Sequence, residues 1–344
     1  MSNDQPALAS PPVLHPSQTC DVVTIGESMV LFQPLQEGGL PYAPLFWRTV
    51  AGAESNLAIA LARLGKKVRW ISRLGRDPFG DIIASTLAGE GVDISFVERD
   101  GTAPTAVFFR EFKGYGEPHA YFYRRHSAAS HLSPQDVRPE WLDGARHLHV
   151  TGITPALGPS TLDAMTTIMR LARERGLTVS FDPNLRRKLW DENSARKALL
   201  SLVPLCDVFL PGIEEAEFLI GSHPVEEYGP AFAGMGPQVV ALKMGAQGSI
   251  GFIEGHTVPV APYTVSKVVD PIGAGDAFAA GFLSVALHEL MSGKNTLSKA
   301  TLQTALERAN VLGALATQFR GDWEGLPNLA ELERIQAGQS SITR

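Results

Sequence analysis

Short runs of strand-forming residues alternate with longer stretches of helical spacing from Asp21 to about Phe319. Val22–Ile25, Val68–Leu74, His147–Thr151, Thr178–Asp182, Val208–Leu210 and Val239–Met244 have strand length and composition. Between them, Asn56–Leu64, Phe79–Glu90, Leu162–Arg175, Ala195–Val203 and Glu214–Ile220 carry the pattern of helices packed on one face. Strand and helix in turn predict an α/β fold, with a mainly parallel sheet covered on both faces. Ligands of such sheets lie beyond the carboxyl ends of the strands. The turns that land there are Gly26-Glu27, Thr151-Gly152, Asp182-Pro183-Asn184, Pro211-Gly212 and Met244-Gly245.

Two segments break the alternation. Residues 31–49 and 106–125 are rich in aromatic and β-branched residues with turn formers between them, and predict extra strands that leave the main sheet. An apolar helix over Ala277–Leu287 and a helical pattern over Leu297–Phe319 follow, punctuated by Gly321 and Pro327. Residues 1–19 contain Pro and Ser but neither a basic start nor an apolar core, which predicts a disordered extension and not a signal peptide. The folded domain is expected over 20–330, with a loose polar tail over 331–344.

Composition narrows the classes. The 344 residues are 44% hydrophobic and 19% charged, as in a soluble enzyme of one large domain plus an appendage. A formal net charge of −6, with no Lys/Arg run, argues against a nucleic-acid partner. No apolar run approaches membrane-spanning length. Two distant cysteines, Cys20 and Cys206, fit a reducing, cytoplasmic setting with no disulfide framework. His147 and His149 alternate along one strand, which favours a structural role over a metal site. Oligomeric state, including a homo-oligomer, stays open.

The candidate chemistry centres on Asp270-Pro271-Ile272-Gly273-Ala274-Gly275-Asp276, directly before the apolar helix. Gly273, Ala274 and Gly275 have almost no side chain, so their amides can close around an anion at the positive end of the helix dipole. Asp276 at the rim could take a proton from an attacking hydroxyl. The alternative is that Asp276 only N-caps the helix. Other phosphate motifs fail: no Gly-x-x-x-x-Gly-Lys-Ser/Thr occurs, and Phe278 stands where a dinucleotide fingerprint needs its third Gly.

This string resembles the Asp-x-x-Gly-Ala-Gly-Asp signature of the ribokinase-like (PfkB) carbohydrate kinases. Ala51-Gly52-Ala53-Glu54-Ser55-Asn56 resembles their Gly-Gly-x-x-x-Asn sugar signature, with Ala51 in place of the first Gly, and Gly75 to Gly80 fits their Gly-x-Asp-x-x-Gly turn. The resemblance runs from about Asp21 to Pro327. It implies a three-layer sandwich in which the two extra segments form a small β-sheet lid over a sugar. It also implies ATP and Mg²⁺, with a monovalent cation left open, and a small-molecule sugar or sugar acid as partner.

Further residues are assigned on the same basis. Asn56 offers a donor and an acceptor to sugar hydroxyls, beside Gly52 and Ala53. Arg124 lies between aromatics, on the same strand face as Phe122 and opposite Tyr121 and Tyr123. Arg186, in Asp182-Pro-Asn-Leu-Arg186, would reach the acceptor from the sheet edge, and Asn184 would order the turn. This string, with Leu189-Trp190 after it, resembles both the 2-keto-3-deoxygluconate kinases and the fructokinases; Gly52-Ala-Glu-Ser-Asn56 and Arg124-x-x-Ser-Ala-Ala-Ser lean toward the former, although Phe108 and Phe122 stand where those enzymes are expected to carry Tyr. Fructokinase is the runner-up. Lys243, Gly245 and Gly248 form a strand-end turn for nucleotide phosphates, Asn310 flanks adenine, and Glu215 orders metal-bound water although Gly212 replaces the family's Asn. A nucleotide-dependent oxidoreductase and an inactive sugar sensor are the alternatives from other classes.

Overall fold

Every residue of β1 (Val22–Ile25) is buried, because successive side chains feed two different cores. Val22 joins one core, while Val23 and Ile25 join the other. The same holds at the far side of the sheet, where Val239 and Ala241 face one core and Val240 and Leu242 the other. Burial on both faces is why these strands read as near-continuous apolar runs.

The computed structural model describes residues 19–36, 38–113, 118–294 and 296–338. The expected N-terminal extension therefore lies outside the described residues, apart from Thr19. After β1 come β2 (Met29–Pro34), β3 (Phe46–Ala51), α1 (Ala53–Arg63), β4 (Val68–Ile71), β5 (Arg73–Gly75), α2 (Pro78–Gly89) and β6 (Glu98–Asp100). Next are β7 (Val107–Glu111), β8 (His119–Tyr123), β9 (His147–Thr151), α3 (Pro159–Glu174), β10 (Thr178–Asp182), α4 (Glu192–Leu202) and β11 (Val208–Phe209). The chain continues through α5 (Ile213–Ile220), α6 (Val225–Ala233), β12 (Val239–Lys243), β13 (Ser249–Ile253) and β14 (His256–Val260). It closes with α7 (Ala274–Glu289), α8 (Lys299–Ala316) and α9 (Leu329–Gln336).

The large sheet has the order β14-β13-β12-β11-β10-β9-β1-β4. It is parallel from β4 to β12 and antiparallel at β13 and β14. One core holds side chains of α1, α2, α7 and α8, the other those of α3, α4, α5 and α6. This is the expected three-layer α/β sandwich. The two aromatic segments form a separate sheet, β3-β2-β7-β8, as the sequence predicts.

The sequence reading lacks β6 and α6, and three further details differ from it. The run Val68–Leu74 is two strands in two sheets: β4 pairs with β1, and β5 leaves to pair with β6. Both are buried, so hydropathy gave no sign of the break. The antiparallel hairpin β13–β14 was not expected; its turn, Glu254-Gly255, has positive φ at both residues (41° and 75°), as tight hairpins require. The tail expected to be loose from 331 is helical to Gln336. Asn328 and Glu331 form a capping box at the start of α9, and Leu332 is fully buried. Residues 339–344 lie outside the described residues.

Candidate active site

The carboxyl ends of β1, β10 and β12 open beneath the small sheet, and α7 enters the same space from the opposite core. The N-cap of α7 is Gly273, at φ 82°, and not Asp276. A Cβ on Gly273 would lie 2.4 Å from the carbonyl oxygen of Asp322, so the turn is closed to other residues by both strain and space. Asp276 instead turns its carboxyl away from the helix. Its Oδ2 accepts from Asn56 Nδ2 at 2.8 Å, and its Oδ1 accepts from Asn184 Nδ2 at 3.2 Å. The capping alternative is therefore wrong: amides from two other elements hold this carboxylate.

Loss of hydration pushes Asp276 up to about 6, opposed by the Asn56 hydrogen bond and the charge of Arg186, and reinforced by Asp182 and Asp322. The result is a carboxylate more basic than usual, presented beside the first-turn amides of α7. Lys243 Nζ stands 3.8 Å from the position a Cβ on Gly275 would take, and donates to Asp182 Oδ2 at 2.7 Å. Burial alone would lower the Lys243 pKa, but the carboxylates of Asp182, Glu215 and Asp276 outweigh it and the net shift is upward. The ammonium is thus fixed in its charged form.

Three hollows meet at these groups, one of them, of about 750 Å³, walled by Arg186, Glu215 and Met244. A cleft of about 430 Å³ under the small sheet and a more apolar groove of about 540 Å³ beside α8 both include Lys243 and Gly275 in their walls. The cleft gathers Gly52, Ala53, Asn56, Phe108, Phe122, Arg124 and Arg186, all predicted from sequence. Their individual roles differ from expectation in places. Gly52 is needed for packing, since a Cβ there would lie 2.4 Å from the Glu27 carbonyl. Asn56 spends its amide on Asp276 and, at 3.5 Å, on Asp322. Phe108 and Phe122 stack at 5.0 Å and give the cleft an apolar wall. Arg124 is buried and ion-paired with Glu27, which also accepts from Ser127. Arg186 is exposed and, among the described residues, has no carboxylate within ion-pair distance.

On the other side, Gly245 (φ 56°) and Gly248 (φ 89°) shape the turn from β12 to β13. Asn310 reaches from α8 to the backbone and donates to the Ala261 carbonyl at 2.9 Å, so it fixes the groove's wall. Glu215 faces the junction, but both its oxygens accept from backbone amides: Oε1 from Leu185 (2.8 Å) and Oε2 from Gly212 (2.7 Å). Among the described residues no group of His, Cys, Asp or Glu forms a metal-binding cluster. His147 and His149 are buried, bond Thr178 and Ser180, and are pushed down to about 3 by burial, as structural residues would be.

Sequence reasoning passed over four residues. Glu27 sits in a turn already placed at the ligand edge. Arg110 and Asp322 form an ion pair at 2.9 Å, and only a lone charge in the aromatic run Val107-Phe-Phe-Arg hinted at it. Glu54, fully buried, accepts from Thr151 and Thr154 at 2.7 and 3.1 Å, and burial raises its pKa to about 7.

Residues 20–329 match the pfkB family of carbohydrate kinases. The chain belongs to this family. It is therefore a carbohydrate kinase of ribokinase-like fold. It is 38% identical to the 2-dehydro-3-deoxygluconokinase of Bacillus subtilis, over 94% of this chain and 97% of that one. A provisionally named ribokinase II from Escherichia coli, solved with ATP and Mg²⁺, superposes with a TM-score of 0.81 at 30% identity, covering 92% of this chain and 99% of the other. A double mutant of the Vibrio cholerae fructokinase, solved with fructose, ADP and potassium, gives 0.79 at 31% identity, over 92% and 98%. No helix among the described residues is long and apolar enough to cross a membrane.

Proposed function

We propose that this kinase transfers the γ-phosphate of ATP to a primary hydroxyl of a sugar acid, 2-keto-3-deoxygluconate being the favoured acceptor. The observation that carries the reading is the placement of Asp276, a raised-pKa carboxylate in the wall of the cleft, next in sequence to Gly275, which borders both the cleft and the groove, at a glycine-closed helix start. The acceptor lies in the cleft and ATP in the groove. Asp276 takes the proton of the acceptor hydroxyl as its oxygen bonds to the γ-phosphorus, and the bond to the ADP oxygen breaks. The amides at Gly273–Gly275 and the ammonium of Lys243 stabilise charge on the transferring group.

Magnesium fits this site as a phosphate-bound ion, since the described residues present Glu215 and no cluster. When bound, it would neutralise phosphate charge, with Glu215 ordering its water through lone pairs the backbone leaves free. The potassium in the fructokinase relative supports testing a monovalent cation.

Asp276 acts as a base only when deprotonated. With its pKa raised to about 6, kcat/KM should fall about tenfold per pH unit below 6. A profile flat down to pH 5 would remove Asp276 from the reaction.

Substrate class turns on the two arginines. Arg124 already carries the Glu27 carboxylate, whereas Arg186 is available to a ligand anion. Arg186→Leu should cost 2-keto-3-deoxygluconate roughly 2–3 kcal/mol in kcat/KM, the value of a charge-assisted bond, and fructose much less. Arg124→Leu should hurt both substrates, because it strands Glu27. A fructokinase is the second reading, favoured by the hydroxyl-free Phe108–Phe122 wall and by the Glu27 partner of Arg124. Wild-type preference for fructose, or equal losses in Arg186→Leu, would end the sugar-acid reading and leave the kinase assignment standing.

A further inference from the structure

Arg110 is among the most deeply buried side chains of the protein, at 2% exposure, and it comes from the small sheet. Its Nη1 donates to Asp270 Oδ2 at 3.0 Å, and its Nη2 donates to Asp322 Oδ1 at 2.9 Å. One guanidinium thus spans two carboxylates of the main body. Both partners wall the anion loop. Asp270 is the first residue of the loop into α7, and its Oδ1 accepts from the Ile272 amide at 3.1 Å. Asp322 supplies the carbonyl against which Gly273 is packed. The second oxygen of Asp322 faces Asn56, the same amide that holds Asp276.

A buried cation between two anions is a poor way to gain stability, since apolar residues of the same volume usually do as well or better. The arrangement does fix geometry. A planar fork can meet two carboxylates at once, which the point charge of a lysine does less well. Arg110 also lines the cleft, with its guanidinium 5.5 Å from the centre of the Phe108 ring.

We propose that Arg110 is a positioning residue for phosphoryl transfer: reaching from β7, it clamps Asp270 and Asp322, and so gives the Gly273–Gly275 loop its working shape only while the small sheet is seated. The inference rests on the reading of Asp276 as base and of that loop as anion hole. The charged groups around Asp276 are Arg186, Lys243, Asp182, Asp322 and Glu54. Arg110 touches none of the reacting atoms; it neutralises Asp322, the carboxylate linked to Asp276 through Asn56.

The test compares Arg110→Lys and Arg110→Met with wild type in kcat, in KM for ATP and acceptor, and in the pH profile of kcat/KM. Arg110→Lys keeps the charge but loses the fork: kcat should fall about tenfold or more, with KM for ATP within about threefold and the acid limb unmoved. Arg110→Met leaves Asp322 uncompensated, which disfavours the Asp276 anion and should move the acid limb upward by about half a unit or more. Loss of thermal stability with unchanged kcat and unchanged limb would make Arg110 purely structural and overturn the proposal. If Arg110→Met does not fold, Arg110→Lys decides alone, and a kcat within threefold of wild type overturns it. Absence of an acid limb in wild type would count against Asp276 as the base, while the kcat comparison would still judge the clamp.

Discussion

Asp276→Asn should lower kcat by about 10²–10⁴-fold, the usual contribution of a positioned general base, with ATP affinity nearly unchanged. The substitution keeps size but removes proton acceptance. It also leaves one acceptor oxygen facing two amide donors, those of Asn56 and Asn184, so one of them must turn away. Asp276→Ala avoids that conflict and should show the same loss. Both are measured by ADP release at saturating acceptor, with ATP binding followed separately. Turnover within about threefold of wild type in both variants would mean that the proton leaves by another route.

Gly275→Val should remove at least about 10²-fold of kcat, comparable to loss of an oxyanion donor, while the protein stays folded. Gly275 has no positive φ, and its Cβ would meet only Lys243 Nζ at 3.8 Å. Valine is no worse than glycine in a helix, so the damage is confined to the space the phosphoryl group needs. Gly273→Ala is the contrasting case. It forces a left-handed residue against the Asp322 carbonyl, and should cost about 1–3 kcal/mol of stability as well as activity. Thermal melts beside turnover separate the two. A Gly275→Val protein with normal melting and normal turnover would show that no phosphate approaches this helix start.

The chemistry was legible where it depends on short local strings. Gly273 to Asp276 and Gly52 to Asn56 each build a helix start within a few residues, so their spacing carries the geometry. What Asn56 does was not legible, because its partner Asp276 is brought to it only by the packing of α1 against α7. The Arg110–Asp270–Asp322 cluster was hidden for the same reason: three segments far apart in sequence meet only in the fold. Arg124 was found, but the pairing that neutralises it depends on Glu27 at the end of β1. The sheet itself followed from apolar periodicity. Its hairpin edge did not, since β14 exposes most of its residues and lacks a clear apolar run.

The small sheet also constrains the order in which the chain can assemble. It is inserted between β1 and α1 and then, after three further strands and a helix, revisited by β7 and β8. β1 pairs with β4 on one side and with β9 on the other, Val22 meeting both Val68 and His147. Closing such distant pairs must offset chain entropy before any contact rewards it. During synthesis, β2 and β3 can form their antiparallel pair at once, but β2 waits for β7 to cover its other edge. Until His147–Thr151 emerges, β1 keeps an apolar, unpaired edge of the kind that recruits other strands. Refolding should accordingly be slow and sensitive to concentration, with the N-terminal third of the chain as the segment most in need of protection.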